Sequence, residues 1–193
     1  THGVCVADIQ QSIRDILIAI GEDPDRDGLQ KTPERVEKAL RFMTQGYQQS
    51  ASKVIGDALF QETHHNMVLV RDIEFYSMCE HHMLPFFGRA AVAYLPKGKI
   101  IGLSKIARIV DLFARRLQVQ ERMTKQIVKA MQEALGTEDV ACVIDAKHLC
   151  VNSRGIRDID SSTVTAEFGG AFKSEDKKRE FLDYINMQTR FDA

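Results

Sequence analysis

The sequence has almost no net charge with which to attract a polyanion: 26 Lys and Arg stand against 27 Asp and Glu, a formal charge of −1. No global field therefore draws the chain to nucleic acid or a membrane surface. No apolar run approaches the ~18 residues of a membrane span, and the first residues lack the charged-then-apolar pattern of an export signal. Cysteine is scarce, with Cys5, Cys79, Cys142 and Cys150 the four in 193 residues, too few for a disulfide scaffold of this size. These absences point to the reducing cytoplasm, where metal binding becomes the better reading of some of the thiols. A Walker loop is missing too: Gly98 to Lys105 does not fit the Gly-x-x-x-x-Gly-Lys-Ser/Thr pattern, so a nucleotide would not be held as in P-loop enzymes. What is present is 44% hydrophobic content, enough for an ordinary globular domain with a real core.

The first third reads as helix. Ile9, Ile13, Ile16, Leu17 and Ile20 keep helical spacing and Gly21 closes the run. Glu22 to Leu29 reads as a loop. Thr32-Pro33-Glu34 predicts a second helix with Thr32 as N-cap, carrying Val36, Ala39, Leu40 and Met43 on one stripe. Ser50 to Asp57 suggests a short third helix. From Met67 the period becomes strand-like. Met67 to Cys79 predicts one long strand with a bulge near Asp72, where the apolar phase slips. Gly88 to Leu95 makes its hairpin partner. Helices follow over Ser104 to Arg116 and Val119 to Leu135, the latter stopped by Gly136. Strands are then predicted over Val140 to Cys150 and Ser162 to Phe168, and a last helix over Ser174 to Tyr184. The order is helices, then β-β-α-α-β-β, then a helix. That is an α+β pattern with a mostly antiparallel sheet, divided into an N-terminal helical segment, 1–60, and a catalytic domain, 61–193.

Cys79 and His82, in Cys79-Glu80-His81-His82, stand three residues apart at the end of a strand, a spacing that lets a thiolate and an imidazole reach one ion. Cys150 is the best third ligand, in the strand that also carries Cys142 and His148 on one face. Two thiolates and an imidazole favour zinc, and three protein ligands leave a position for water, the catalytic arrangement. A four-ligand structural zinc, completed by His81 or His148, is the competing reading. Cys142 reads as a core residue, and His64 and His65 as surface residues of a polar loop. Two further histidines beside the ligands suit proton transfer.

Gly102-Leu103-Ser104-Lys105 opens a helix whose first amides could hold an anion, with Ser104 able to cap it. Lys105 and Arg108 stand one turn apart there, and Arg154 and Arg157 follow Cys150; together they could hold a polyphosphate. Gln120 and Glu121 open the next helix. A carboxylate there matches the helix dipole, and it also suits a guanine edge, whose N1–H and N2 amine are donors; the residues alone do not choose between these.

Cys79-Glu80-His81-His82, Pro85-Phe86, Gly102-Leu103-Ser104-Lys105-Ile106, Arg108-Ile109-Val110, Gln118-Val119-Gln120-Glu121-Arg122, His148-Leu149-Cys150 and Arg154-Gly155 together closely resemble the GTP cyclohydrolase I family, from about Thr32 to Tyr184. The resemblance implies the tunnelling fold, a four-stranded antiparallel sheet with two helices between its second and third strands. It implies five-subunit barrels stacked into a homodecamer, with active sites between subunits, and an allosteric enzyme of tetrahydrofolate and pterin biosynthesis. It implies opening of the guanine imidazole ring of GTP, loss of formate and rearrangement to 7,8-dihydroneopterin triphosphate. By the same likeness Cys79, His82 and Cys150 are zinc ligands, His81, His148 and Ser104 are catalytic, and Gln120 and Glu121 hold guanine. Ser104, Lys105, Arg108 and Arg154 contact the ribose and triphosphate, and Arg35 and Lys38 match a further phosphate position. A nucleoside deaminase is the enzymatic rival, but His-x-Glu and Pro-Cys-x-x-Cys are missing. A non-catalytic zinc-stabilised protein is the other rival, and it would unfold on chelation.

Overall fold

The computed structural model describes residues 8–188. The chain divides into two compact units, one ending at Thr44 and the other starting at Gln45.

In the first unit, α1 (Ile9–Ala19) begins where the Asp8 carboxylate accepts the Gln11 N–H at 3.2 Å. It gives way at Gly21, whose φ of +90° suits a residue without a Cβ. α2 (Thr32–Met43) starts one residue earlier than its motif suggests: Lys31 occupies the N-cap position and no side chain caps the helix. The Thr32 N–H is already bonded to the Leu29 carbonyl at 2.9 Å, so the preceding turn runs straight into the helix and Thr32 is its first residue rather than its cap.

The second unit opens with a 3-10 turn at Gln45–Gln48 and α3 (Ala51–Ile55), which Ser50 caps through Lys53 N–H. Its main sheet contains β2 (Val68–Cys79), β3 (Pro85–Tyr94), β6 (Val140–His148) and β7 (Thr163–Phe168), all antiparallel to their neighbours. A two-residue strand, β5 (Leu117–Gln118), lies parallel to the end of β2 and makes five strands in the order β5-β2-β3-β6-β7. Between β3 and β6 run α4 (Leu103–Ala114) and α5 (Gln120–Leu135). The order of the four long strands and two helices is therefore the one expected of a tunnelling fold. β1 (Leu59–Gln61) and β4 (Lys99–Ile101) pair as a separate ribbon; three-residue strands are too short to show a period.

The anticipated irregularity in β2 is present. Register slips between Val70 and Ile73, and Asp72 has φ +57°. Alternation then sorts the strands onto two faces. Phe75, Phe86, Ala90, Val92, Tyr94, Cys142 and Ile144 face a large core with Ile106, Ile109, Phe113, Met123, Ile127 and Met131 of α4 and α5. Ala91, Ala93 and Ala141 face the opposite side, where Phe172 and Phe181 of the C-terminal segment pack; the helix there is α7 (Glu175–Asn186), capped by Ser174.

β6 is shorter than its sequence suggests. It ends at His148, and a single helical turn, α6 (Leu149–Asn152), takes over. The reason lies in β3. His148 pairs with Phe86, so the next position would face Pro85, which has no N–H to extend the ladder. His148 and Cys150 consequently do not share a strand face.

Candidate metal centre and active site

One hairpin and one strand end build the centre. β2 delivers Cys79, which is buried. The chain then reverses through Glu80 to Leu84: Met83 N–H bonds the Cys79 carbonyl at 2.8 Å, and Cys79 N–H bonds the Leu84 carbonyl at 2.9 Å. Met83 takes φ +52° to close the turn, which leaves His81 and His82 exposed at its tip. β6 pairs with β3, so its end arrives beside this turn, and the helical turn after it presents Cys150. The ligand atoms of Cys79, His82 and Cys150 all lie within 4.8 Å of one another. Among the described residues, that group holds three donors; neither His81 nor His148 belongs to it. Burial, reinforced by the nearby Cys79, pushes the Cys150 thiol above its ordinary range.

The turn is tied sideways to α5. Arg122 grips Glu80 with two bonds, 2.5 and 2.8 Å. This pairing holds the Glu80 carboxyl below its usual range. Glu80 N–H also bonds the Gln118 carbonyl at 3.0 Å. Arg154, on the segment after Cys150, lies 3.0 Å from Nε2 of His82 through its Nη1.

His148 sits at the end of β6, half-buried. Its ring lies flat on Phe86, with centroids 4.5 Å apart and planes 1° from parallel. Phe86 is itself fully buried and packed edge-on to Phe75. Burial lowers the His148 pKa, and the carboxylate of Glu121 works against that shift. The neighbouring Gln120 is turned inward at 2% exposure. Its Nε2 donates to Ile144 O, Thr163 O and Thr165 Oγ1, and its Oε1 lies 2.7 Å from His148 Nε2. Of the pair expected to hold a base, Glu121 is exposed and Gln120 is not.

Ser104 and Lys105 fall elsewhere in the second unit. At the start of α4, Gly102 is the N-cap and no side chain caps the helix, so Ser104 is its exposed second residue rather than its cap. Lys105 donates to the Val54 carbonyl at 2.8 Å. This start lies beside the far end of the hairpin: Val68 pairs with Tyr94, whose hydroxyl accepts from Ile101 N–H. Cys79 closes the other end of the twelve-residue β2, roughly 35 Å away at the usual rise of a strand. Within one chain, then, Ser104 and Lys105 do not join the three metal donors. Arg108 is exposed one turn further along α4. Arg35 and Lys38 are exposed on α2 of the first unit, where Lys38 pairs with Glu34 at 2.5 Å.

Sequence reading alone missed the stack of His148 on Phe86 and the threonines around Gln120. The only available signal was that Phe86 and His148 each flank the metal motif. Cys142 is fully buried, and burial raises its thiol pKa far out of the working range, as suits a core residue.

The family model for GTP cyclohydrolase I matches residues 9–186. GTP cyclohydrolase 1 of Campylobacter concisus (strain 13826) is 52% identical over 178 residues, 92% of this chain and 94% of its own length. The protein of the same name from Gloeobacter violaceus is 51% identical over 184 residues, 95% and 86% of the two chains. That from Dictyostelium discoideum is 52% identical over 178 residues, 92% and 77%. The crystal structure of the archaeosine synthase QueF-Like in the apo form superposes on 58% of this chain and 93% of its own, with a TM-score of 0.42 and 13% identity. With about half of the residues identical across nearly the whole length, and with thiols and imidazole gathered where the motifs lie, the chain belongs to the GTP cyclohydrolase I family.

Proposed function

We propose that the protein converts GTP and water to formate and 7,8-dihydroneopterin triphosphate, opening the imidazole ring of guanine. The observation that carries this is the three-donor group of Cys79, His82 and Cys150, with His148 held beside Glu121. Two thiols and an imidazole are a donor set that fits zinc, and three protein ligands match its catalytic rather than its structural sites. Zinc held there would supply Lewis acidity, bringing the pKa of water at the site towards roughly 7.

The chain's own groups do the rest. Glu121 offers its carboxylate to the N1–H and N2 amine of guanine. His148 gives a proton to N7 as the ring opens, and His81 and Ser104 move protons during rearrangement of the ribose. Arg154, Lys105, Arg108, Arg35 and Lys38 hold the triphosphate by charge-assisted hydrogen bonds. Because Ser104 and Lys105 stand at the opposite end of the hairpin from the metal group, a complete site takes them from a second copy of the chain. That requirement supports a homo-oligomer, and the family suggests two stacked pentamers. The outer edge of β7, unpaired among the described residues, is a surface on which another strand could pair. Free thiols at Cys79, Cys142 and Cys150 suit the reducing cytoplasm.

The test is incubation of the zinc-loaded protein with GTP, following formate and the fluorescence of the oxidised pterin. Formate from GTP but not from ATP is expected. Ammonia in place of formate would move the protein to the deaminases. A chain that unfolds on chelation and makes neither product would be a zinc-stabilised structural protein.

A further inference from the structure

The bonds around Gln120 determine which nitrogen of His148 carries a proton. Ile144 O and Thr163 O, at 3.2 and 2.8 Å, are backbone carbonyls and can only accept. The end of the Gln120 amide that faces them must therefore be the NH2. A third contact agrees. The Thr124 hydroxyl donates to the Gln120 carbonyl at 2.8 Å, so in its 2.7 Å pair with Thr165 it accepts. Thr165 Oγ1 spends its proton on Thr124 and accepts from Gln120 Nε2 at 3.1 Å. With every donor so directed, Oε1 is left facing His148 Nε2 at 2.7 Å. An amide oxygen cannot donate, so Nε2 is the N–H. Turning the ring over would leave it flat on Phe86 but would put Cε1 in the place of Nε2, and the 2.7 Å bond to Oε1 would be lost. Nδ1 of His148 has no hydrogen-bond partner among the described residues.

We propose that Gln120 is a positioning residue, not a base contact: its amide oxygen keeps a proton on Nε2 of His148 and so makes Nδ1 the nitrogen that exchanges a proton with the substrate. The inference rests on the role proposed above for His148. In the transfer, the Nδ1–H bond breaks, its electron pair stays on Nδ1, and the proton goes to N7 of guanine. The donor is thus the imidazolium, protonated on both nitrogens; it becomes the neutral ring, which keeps its Nε2 proton on Gln120 and takes a new Nδ1 proton from solvent before the next turnover. Phe86 sets the plane of the imidazole and Gln120 sets its direction within that plane.

The test is a double-mutant cycle on zinc-loaded protein, with GTP as substrate. Gln120→Met fills the same volume but offers no acceptor. It should lower kcat roughly 10- to 100-fold, the usual cost of losing a group that orients a functional histidine, with KM for GTP held within about twofold. In a His148→Ala background the same substitution should change kcat less than twofold, because Gln120 acts only through that ring. Thr165→Val, which disturbs the same network away from the imidazole, should keep kcat within about threefold. A raised KM at constant kcat, or full additivity with His148→Ala, would overturn the proposal. Two-bond 1H–15N spectra of the unsubstituted protein need no variant to fold, beyond the signal lost in His148→Ala that identifies the ring. They should show neutral His148 protonated on Nε2; a proton on Nδ1 would overturn the proposal equally. Wild-type formate release is read separately, so an inactive wild type would defeat the proposed function, while an active one with additive variants would defeat only this inference.

Discussion

Arg154 Nη1 and His82 Nε2 lie 3.0 Å apart, and in that contact the guanidinium can only donate. Nε2 of His82 therefore accepts, and the neutral ring carries its proton on Nδ1. An ion bound through Nε2 would take the place of Arg154, and one bound through Nδ1 would put a proton on Nε2 and repel it. A metal on His82 would thus compete with this contact, and would free Arg154 for the triphosphate role proposed above. Arg154→Ala is expected to leave zinc affinity, measured by chelator competition, equal or higher. KM for GTP should rise about 10- to 100-fold, the scale of one lost charge-assisted bond. A fall in zinc affinity would show that Arg154 supports the centre instead.

Cys150 is half-buried and packs at the margin of the core. Cys150→Ser should therefore keep the circular dichroism of the parent and lose its metal, which elemental analysis would show, together with all formate release. Stoichiometric zinc at full rate in this variant would remove Cys150 from the ligand set.

Gly88 lies where β3 and β6 leave no room for a side chain. A Cβ there would stand 1.9 Å from the Asp145 carbonyl oxygen and 2.6 Å from Ala146 Cα, both backbone atoms that cannot step aside. Gly88→Ala should destabilise the fold by about 1–3 kcal/mol or more, read as a lower midpoint of urea unfolding. It should also slow the enzyme, since the same strand pair holds Phe86 under His148. An unchanged midpoint would mean that the sheet relaxes freely at this position.

Asp139 is largely buried, and burial pushes its carboxyl up. Lys97 at 2.9 Å and the Ala171 N–H at 2.8 Å outweigh that effect and hold it below the ordinary range. A carboxyl whose folded pKa lies below its unfolded one adds stability above the unfolded value, and that stability is lost as pH falls through the folded value. Asp139→Asn should thus cost most near pH 7, and the gap to the parent should narrow as the medium is acidified towards pH 3. A gap that stays constant with pH would assign the cost to packing rather than charge.

Much of this was legible because it is periodic or local. The strand ending at Cys79, the bulge at Asp72, the stop at Gly136 and the helix starts at Asp8, Ser50 and Ser174 all announce themselves within a few residues. The end of β6 did not, because it is dictated by Pro85 on a different strand. Alternation carried the reading on to Cys150, while the ladder stops at His148. The ribbon of β1 and β4 and the two residues of β5 are too short to show a period. Cys79, His82 and Cys150 could be named from residue type and spacing. The inward turn of Gln120 depends on Ile144 and Thr163, brought beside it only by the pairing of β6 and β7, and no pattern along the chain records that.

Cys79 ends β2 and Cys150 follows β6, with α4, α5 and the four strands β3 to β6 threaded between them. A bond that joins the two positions closes that whole stretch into a ring, and closing so long a loop removes conformational freedom from the unfolded chain. An ion shared by these thiols is thus also a clasp on the rim of the sheet. How slowly a protease digests this chain should then track how much metal its surroundings supply, quite apart from turnover.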